Sequence, residues 1–128
     1  MRVIVTSFFI IISLWSNTAW SDDTPKIEFE QYTLKNGLTV VIHEDHKAPI
    51  IAVNVWYHVG SKDEPEQKSG FAHLFEHLMF NGSENYDDDF FKPLQEIGAS
   101  RINGTTSRDR TNYYQTVPVG GLDRILWM

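Results

Sequence analysis

Two histidines and a glutamate lie within five consecutive residues of this 128-residue chain, in the segment His73-Leu74-Phe75-Glu76-His77. Histidines at positions i and i+4 of a helix are one turn apart on the same face, so both imidazoles can reach one zinc ion at about 2.1 Å. Glu76 flanks the pair, where a carboxylate can take a proton from a zinc-bound water whose pKa the metal lowers to about 7. The spacing therefore predicts metal ligands at His73 and His77 and a catalytic base at Glu76.

A simpler interpretation of the same residues makes the two histidines core residues that are satisfied by local hydrogen bonds, with Glu76 in solvent. The neighbouring sequence favours the metal, because three ionisable groups on so apolar a helix would be costly to bury without a metal or a hydrogen-bond network. The opposite face of the helix is apolar and is predicted to pack; it consists of Phe71, Leu74, Phe75 and Leu78.

The elements that must position this helix are predicted from hydrophobic periodicity and turn residues. Asn36-Gly37 predicts a tight hairpin turn between two strands, and the run after residue 49 predicts a buried third strand. Pro93 is expected in the first turn of the second helix, and Asp87-Asp88-Asp89 is expected to cap it. The predicted strands cover residues 26–34, 38–43, 50–59, 100–107 and 111–117, and the predicted helices cover residues 71–80, 87–97 and 121 onward.

Composition limits the chemistry available to the chain. A content of 41% hydrophobic and 13% aromatic residues is enough to build a core. The absence of cysteine excludes a disulfide framework and thiolate ligands, so any zinc must be held by imidazole and carboxylate. The formal net charge of -6 argues against nucleic acid as a partner.

The first 21 residues have the pattern of a signal peptide. Arg2 precedes an apolar run that is too short to span a bilayer comfortably, and Ala19 and Ser21 are small residues at the positions that cleavage requires. We expect cleavage before Asp22, with export to the periplasm or the extracellular space and no stable membrane association afterwards. An uncleaved membrane anchor is the alternative. The predicted organisation is therefore a signal peptide at residues 1–21 and one domain at residues 22–128.

His73-Leu74-Phe75-Glu76-His77 is an inverted zinc motif, H-x-x-E-H, and its surroundings resemble the family of the insulin-degrading enzyme, pitrilysin and mitochondrial processing peptidase. The similarity covers nearly all of residues 27–128. Besides the motif, it is carried by Gly60-Ser61-Lys62-Asp63-Glu64, Gly70-Phe71-Ala72, Phe80-Asn81-Gly82-Ser83, Leu94-Gln95-Glu96-Ile97-Gly98-Ala99, Asn103 to Ser107 and Thr111-Asn112-Tyr113-Tyr114.

The resemblance implies an α+β fold, with an antiparallel sheet packed against helices, as in the amino-terminal part of a processing-peptidase-like metallohydrolase domain. It implies one zinc ion per site and hydrolysis of peptide bonds by zinc-bound water, with Glu76 as general base. It also implies that residues 99–107 form an edge strand that pairs with an extended peptide or protein substrate, with Asn103 and Gly104 at the contact. From the sequence alone, Asn103 could equally be a polar residue in a turn or bulge.

The family's third zinc ligand is a glutamate on a later helix, and this chain has no glutamate after Glu96. Relatives also have a second half-domain, or a partner subunit, that closes over the substrate. We therefore expect the third ligand to lie beyond Met128 and the chain to be a truncated piece of an exported zinc metalloendopeptidase that is inactive alone. The alternative function is a non-catalytic peptide- or metal-binding module of the same fold.

Overall fold

The computed structural model describes residues 24–128, so the predicted signal peptide at residues 1–21 lies outside the described residues. The described residues fall into two compact units, which divide between Glu44 and Asp45. None of the helices within residues 24–128 has the length and apolar character needed to cross a membrane.

The described part of the first unit is the predicted hairpin. Strand β1 (Glu30–Thr33) pairs antiparallel with β2 (Thr39–Ile42). The turn forms where Asn36-Gly37 predicted it, since Gly37 has a φ of 89° and the side-chain oxygen of Asn36 accepts the Leu38 amide at 3.1 Å. Glycine tolerates this left-handed conformation because it has no Cβ. Both strands are shorter than the sequence predicts.

The second unit contains a three-stranded antiparallel sheet. Its strands are β3 (Ile50–Tyr57), β4 (Ser100–Thr106) and β5 (Thr111–Pro118), in the spatial order β3-β5-β4. Strand β5 is central and pairs with β3 along its whole length. Within residues 24–128, β4 has a strand neighbour on one side only. The sequence prediction of an edge strand in this segment agrees with that arrangement.

Three short helices complete the unit: α1 (Phe71–Leu78), α2 (Phe91–Glu96) and α3 (Leu122–Trp127). The N-cap residue of α2 is Phe90 and not one of the predicted aspartates, but the carboxylate of Asp89, one residue earlier, accepts the backbone N–H of Phe91 at 2.6 Å. Pro93 is the third residue of α2, where a missing N–H costs little, and Gly98 follows the helix with a φ of 80°. All three predicted helices are present, each shorter than its hydrophobic pattern suggests.

The core of the second unit lies between one face of the sheet and helices α2 and α3. Leu94 of α2 and Val117 of β5 are fully buried, and Ile125 of α3 packs with them. Because side chains alternate along a strand, Tyr113 lies on the same face of β5 as Val117, and the register places Gly104 of β4 beside Tyr113. The helices therefore cover this single face, and the predicted α+β class is confirmed.

Two predictions about burial are wrong. Strand β3 was expected to be well buried, yet Trp56 is 49% exposed. The apolar face of α1 (Phe71, Leu74, Phe75 and Leu78), which we call the outer face, was expected to pack, yet Phe75 is 58% exposed. The buried residues of α1 are Ala72 and Glu76, and Phe80 continues their side of the helix. We call these three residues the inner face. A hydrogen bond to β4 and the close approach of α1 to that strand decide which face of the helix packs.

Candidate metal and catalytic site

His73 and His77 lie on successive turns of α1, and their imidazoles converge. The two Nε2 atoms are 3.1 Å apart, and the ring centroids are 4.8 Å apart. Two nitrogen ligands of a tetrahedral zinc ion, each about 2.1 Å from the metal, lie about 3.4 Å from each other. The separation observed between the two Nε2 atoms therefore fits ligation of one ion. Both side chains are exposed, so the metal has access from solvent.

Glu76 is turned away from solvent, with 7% of the residue exposed. Its carboxylate oxygen Oε2 accepts a hydrogen bond from the hydroxyl of Thr106 on β4. Thr111, the residue of β5 that pairs with Thr106, donates its own hydroxyl to the carbonyl of Val59 at 3.0 Å. A buried carboxylate needs such a partner, because an unpaired charge in this position would be strongly destabilising. Thr106 therefore satisfies Glu76 and fixes one of its two oxygens.

Gly104 lets α1 approach β4 closely. A Cβ atom at this position would lie 3.1 Å from Cγ of Glu76 and 3.1 Å from the ring of Phe80, which is tighter than ordinary van der Waals contact. The ring of Phe80 also packs edge-on against Tyr113, with centroids 5.6 Å apart. The structure thus places Gly104 beneath the inner face of α1, and its predicted contact with substrate stays a prediction.

Asn103 lies on β4, next to a β-bulge. It is exposed, pairs with Tyr114 across the ladder, and its side-chain amide is 3.5 Å from the Tyr114 hydroxyl. The alternative interpretation of Asn103 as a residue near a bulge therefore has some basis, since the register shifts between Ser100 and Asn103. Its exposure also leaves it available to a ligand, so its role in binding substrate stays a prediction.

A cavity of about 590 Å³ opens beside His73 and Glu76. It lies between the amino-terminal half of α1, the loop that precedes α1, and the end of β4. Its walls are mainly polar, and a ligand here would contact the predicted base and one predicted metal ligand. The lining residues are Ser61, Glu64, Ser69, Gly70, His73, Glu76, Gly104, Thr105, Thr106, Ser107 and Arg108.

The surroundings of Tyr113 in the site raise the pKa of its phenol. Burial raises the pKa of its phenol above the usual value of 10.0, and the negative charges of Glu76 and of ionised Tyr57 raise it further. Each cause disfavours a phenolate in this position. Tyr113 is therefore a neutral phenol beside the inner face at physiological pH.

The structure brings together the three residues that the motif predicts. Within residues 24–128 it contains no group of three or more His, Cys, Asp or Glu side chains that could hold a metal ion, so the assignment of His73 and His77 as zinc ligands stays a prediction. Sequence reasoning missed Thr106 and Glu64, both of which contact the predicted site. The alternation of β4, with Gly104 and Thr106 on one face, was a signal that could have identified Thr106.

Comparison with protein-family models identifies the insulinase family, peptidase family M16, over residues 39–128. A zinc protease from Helicobacter pylori, PqqE, is 34% identical over 126 residues, which cover 98% of this chain and 28% of the relative. The probable mitochondrial-processing peptidase subunit beta of Arabidopsis thaliana is 35% identical over 86 residues, which cover 66% of this chain and 16% of the relative. The chain thus spans less than a third of the length of these relatives.

Two solved structures have a similar fold. The crystal structure of a protease from Helicobacter pylori matches with a TM-score of 0.73 and 39% identity, covering 78% of this chain and 24% of that protein. The crystal structure of pitrilysin matches with a TM-score of 0.69 and 29% identity, covering 80% of this chain and 12% of that protein. The arrangement of helices on one face of an antiparallel sheet thus matches a part of each of these two solved structures.

Proposed function

Since the chain belongs to the insulinase family of peptidases, M16, we propose that it carries the metal-binding and catalytic helix of a zinc metalloendopeptidase. One observation carries the proposal: the Nε2 atoms of His73 and His77 are 3.1 Å apart on the helix that buries Glu76. The similarity to a zinc protease over 98% of the chain supports it. The substrate is an extended peptide or protein.

His73 and His77 would hold the zinc ion through their Nε2 atoms. The neutral imidazole is a common zinc ligand, and the exposed position of both rings leaves room for further ligands. The bound metal supplies a Lewis acid that makes water a competent nucleophile near neutral pH. Catalytic zinc sites generally have three protein ligands, so a third ligand has to come from outside residues 24–128. We assign it to a glutamate beyond Met128.

Glu76 acts as the general base. Thr106 holds its Oε2 atom, so Oε1 is the oxygen that accepts a proton from the attacking water and later returns it to the leaving amine. Burial of the carboxylate keeps its orientation fixed throughout this exchange. The cavity beside His73 and Glu76 is the space in which the scissile bond would lie.

The free side of β4 holds the substrate. An extended peptide can add to the exposed strand by main-chain hydrogen bonds, which give affinity with little dependence on sequence. Asn103 is exposed on this strand and would contact the peptide backbone, while Gly104 keeps the strand close to the catalytic helix. A second half-domain or a partner subunit would then close over the bound peptide.

Residues 1–21 form a cleaved signal peptide in this proposal, and the protein works in the periplasm or outside the cell. The mass and the amino-terminal residue of the mature protein, isolated from its native compartment, test this part directly. A mature chain beginning at Asp22 is the expected result. Retention of Met1, with the protein in the membrane fraction, would establish the uncleaved anchor instead.

The catalytic proposal is tested on the protein expressed from its full reading frame, with a Glu76→Gln variant. The variant should lose nearly all peptide cleavage, because an amide cannot accept the proton, while it retains zinc. Glu66→Gln is a matched control, since Glu66 is an exposed glutamate of the preceding loop. Undiminished cleavage by Glu76→Gln would remove Glu76 from the mechanism. A wild-type protein that takes up no zinc on reconstitution would refute the metallopeptidase assignment.

The second candidate function is a non-catalytic peptide- or metal-binding module, and the incomplete ligand set within residues 24–128 is the observation that favours it. For the 128-residue chain by itself we expect weak zinc binding and no turnover, because two imidazoles without a third ligand hold zinc poorly. Turnover by the highly purified chain would contradict this expectation. A full-length protein that binds peptide and zinc without cleaving the peptide would establish the module.

A further inference from the structure

The loop between β3 and α1 provides the cap of the catalytic helix. Gly70, the residue before α1, has no side chain with which to cap it and adopts a left-handed φ of 93°. The carboxylate of Glu64 takes that role from six residues away: Oε2 accepts the Gly70 amide at 2.9 Å and Oε1 accepts the Ala72 amide at 2.8 Å. A carboxylate is favourable here because it satisfies free N–H groups and interacts with the positive end of the helix dipole.

The loop that carries Glu64 is itself attached to the end of β4. The amide of Ser61 donates to the carbonyl of Ser107 at 3.0 Å, and the amide of Lys62 donates to the carbonyl of Arg108 at 2.8 Å. Gly60 allows this approach, since a Cβ atom at that position would lie 2.4 Å from the Ser107 carbonyl oxygen. The backbone from which Glu64 reaches the helix is therefore fixed relative to β4.

Two separate attachments thus join α1 to β4. Thr106 binds Glu76 in the middle of the helix, and Glu64 binds the amide of Ala72, the residue directly before His73. One attachment would leave the helix free to tilt about it, whereas two attachments a turn apart fix both its position and its direction. His73 directly follows Ala72, the residue that Glu64 binds, so the position of its imidazole depends on Glu64.

We propose that Glu64 is a positioning residue of the zinc centre: its carboxylate, attached through the loop to β4, sets where α1 presents His73 beside Glu76. This inference rests on the proposed function of α1. A cap that only favoured helix formation would raise stability without affecting the metal. Because Glu64 joins the helix to the strand that carries Thr106, its removal changes the geometry of the ligands within a folded protein.

The test uses the protein from its full reading frame, with Glu64→Gln and Glu64→Ala variants and Glu66→Ala as the matched control. The zinc Kd is measured on the metal-free protein by competition with a chromophoric chelator, and kcat, KM and Tm are measured alongside. A glutamine keeps one acceptor oxygen and an alanine keeps none, so the effect should grow from Glu64→Gln to Glu64→Ala. We expect zinc affinity and kcat to fall by about 10-fold in Glu64→Ala, within the usual range for residues that support metal ligands. KM should change less than kcat, because β4, the strand proposed to bind the peptide, is unchanged.

Several results would overturn the positioning role. If both variants bind zinc and turn over as wild type does, Glu64 does not position the centre, and the proposed function stands. If Tm falls while zinc Kd and kcat per folded molecule are unchanged, Glu64 is a structural cap only. Should Glu64→Ala fail to fold, the Glu64→Gln variant decides between these results. Failure of the wild-type protein to bind zinc is a different result, because it refutes the proposed function itself.

Discussion

The inner and outer faces of α1 show that apolar character does not decide how this helix packs. The inner face carries the charged residue Glu76, yet it lies against the sheet, where Gly104 makes room for it and Thr106 satisfies its carboxylate. The outer face is apolar, yet Leu74 is 49% exposed and Phe75 is 58% exposed. The proposed catalytic base, Glu76, is thus held by a close backbone approach and hydrogen bonds. Single substitutions can remove either the close approach or the hydrogen bond, so the effect of each can be measured separately.

The largest effect is expected from Gly104→Val, which places a branched side chain where even a Cβ atom would contact Glu76 and Phe80 at 3.1 Å. Forcing the helix away from β4 should destabilise the fold by about 3 kcal/mol or more, at the upper end of the usual cost of overpacking, and weaken zinc binding. Denaturant unfolding and chelator competition measure the two effects. Gly120→Val is the matched control, because a Cβ atom at Gly120 meets nothing within 4 Å. Equal effects of the two variants would show that the close approach does not matter.

A smaller effect is expected from Thr106→Val, which keeps the shape of the side chain and removes the hydroxyl bonded to Glu76. The buried carboxylate loses its partner, which should cost about 1–3 kcal/mol of folding free energy and lower kcat on the order of 10-fold in the full-length protein. Thr116→Val is the control, since Thr116 lies on the opposite face of β5. If kcat is unchanged, then Glu76 does not need Thr106 for its orientation.

Tyr113 tests the electrostatics of the inner face. Its pKa in the folded protein is raised, mainly by burial and then by the charge of Glu76. In the unfolded chain the pKa of tyrosine is about 10, lower than in the folded protein. The stability that the neutral phenol contributes is therefore fully present below about pH 10 and is lost as the pH rises through the pKa of the folded protein. Tyr113→Phe should reduce this alkaline loss of Tm, and Tyr32→Phe on the exposed hairpin is the control. If the Tm of Tyr113→Phe falls at alkaline pH as much as that of wild type, the raised pKa of Tyr113 is contradicted.

The smallest effect is expected on the outer face. Leu74→Gln removes an exposed apolar side chain from the 128-residue chain, so its free energy of unfolding should change by no more than about 0.5 kcal/mol. Phe75→Gln should behave in the same way. Denaturant unfolding of both variants measures the effect. A loss of about 2 kcal/mol or more would mean that the outer face is buried in solution, and the contrast between the two faces would disappear.

The sequence predicted which strands and helices form more accurately than it predicted which of their residues are buried. Asn36-Gly37 and Pro93 predict local conformations that depend on a few neighbouring residues, and each has the expected role. Burial depends on which elements meet in space. The spacing of apolar residues along α1 separates the helix into two faces but does not indicate which face meets the sheet. The prediction that the apolar face packs was therefore wrong.

In the site, too, the relations between residues close in the chain were predicted and those between distant residues were not. His73 and His77 are related by helical spacing, which is local, and their imidazoles converge as predicted. Thr106 is 30 residues from Glu76 in the chain, and the alternation of β4 indicates the face on which Thr106 lies but not that this face meets Glu76. Glu64 is eight residues before Ala72, but its role depends on a loop that folds back on β4. Such long-range hydrogen bonds require the pairing of β4 with β5 to be known first.

The β-bulge in β4 has a consequence for the evolution of this segment. Between the pairs Ser100↔Thr116 and Asn103↔Tyr114, β4 contains one more residue than β5, and Arg101 takes up the difference with a φ of 53°. A bulge absorbs a change in chain length without shifting the pairs that follow it. A homologue with one residue fewer here could pair as a regular ladder and keep Asn103 and Thr106 opposite the same residues of β5, so we expect an alignment gap in this segment to fall at residues 101–102.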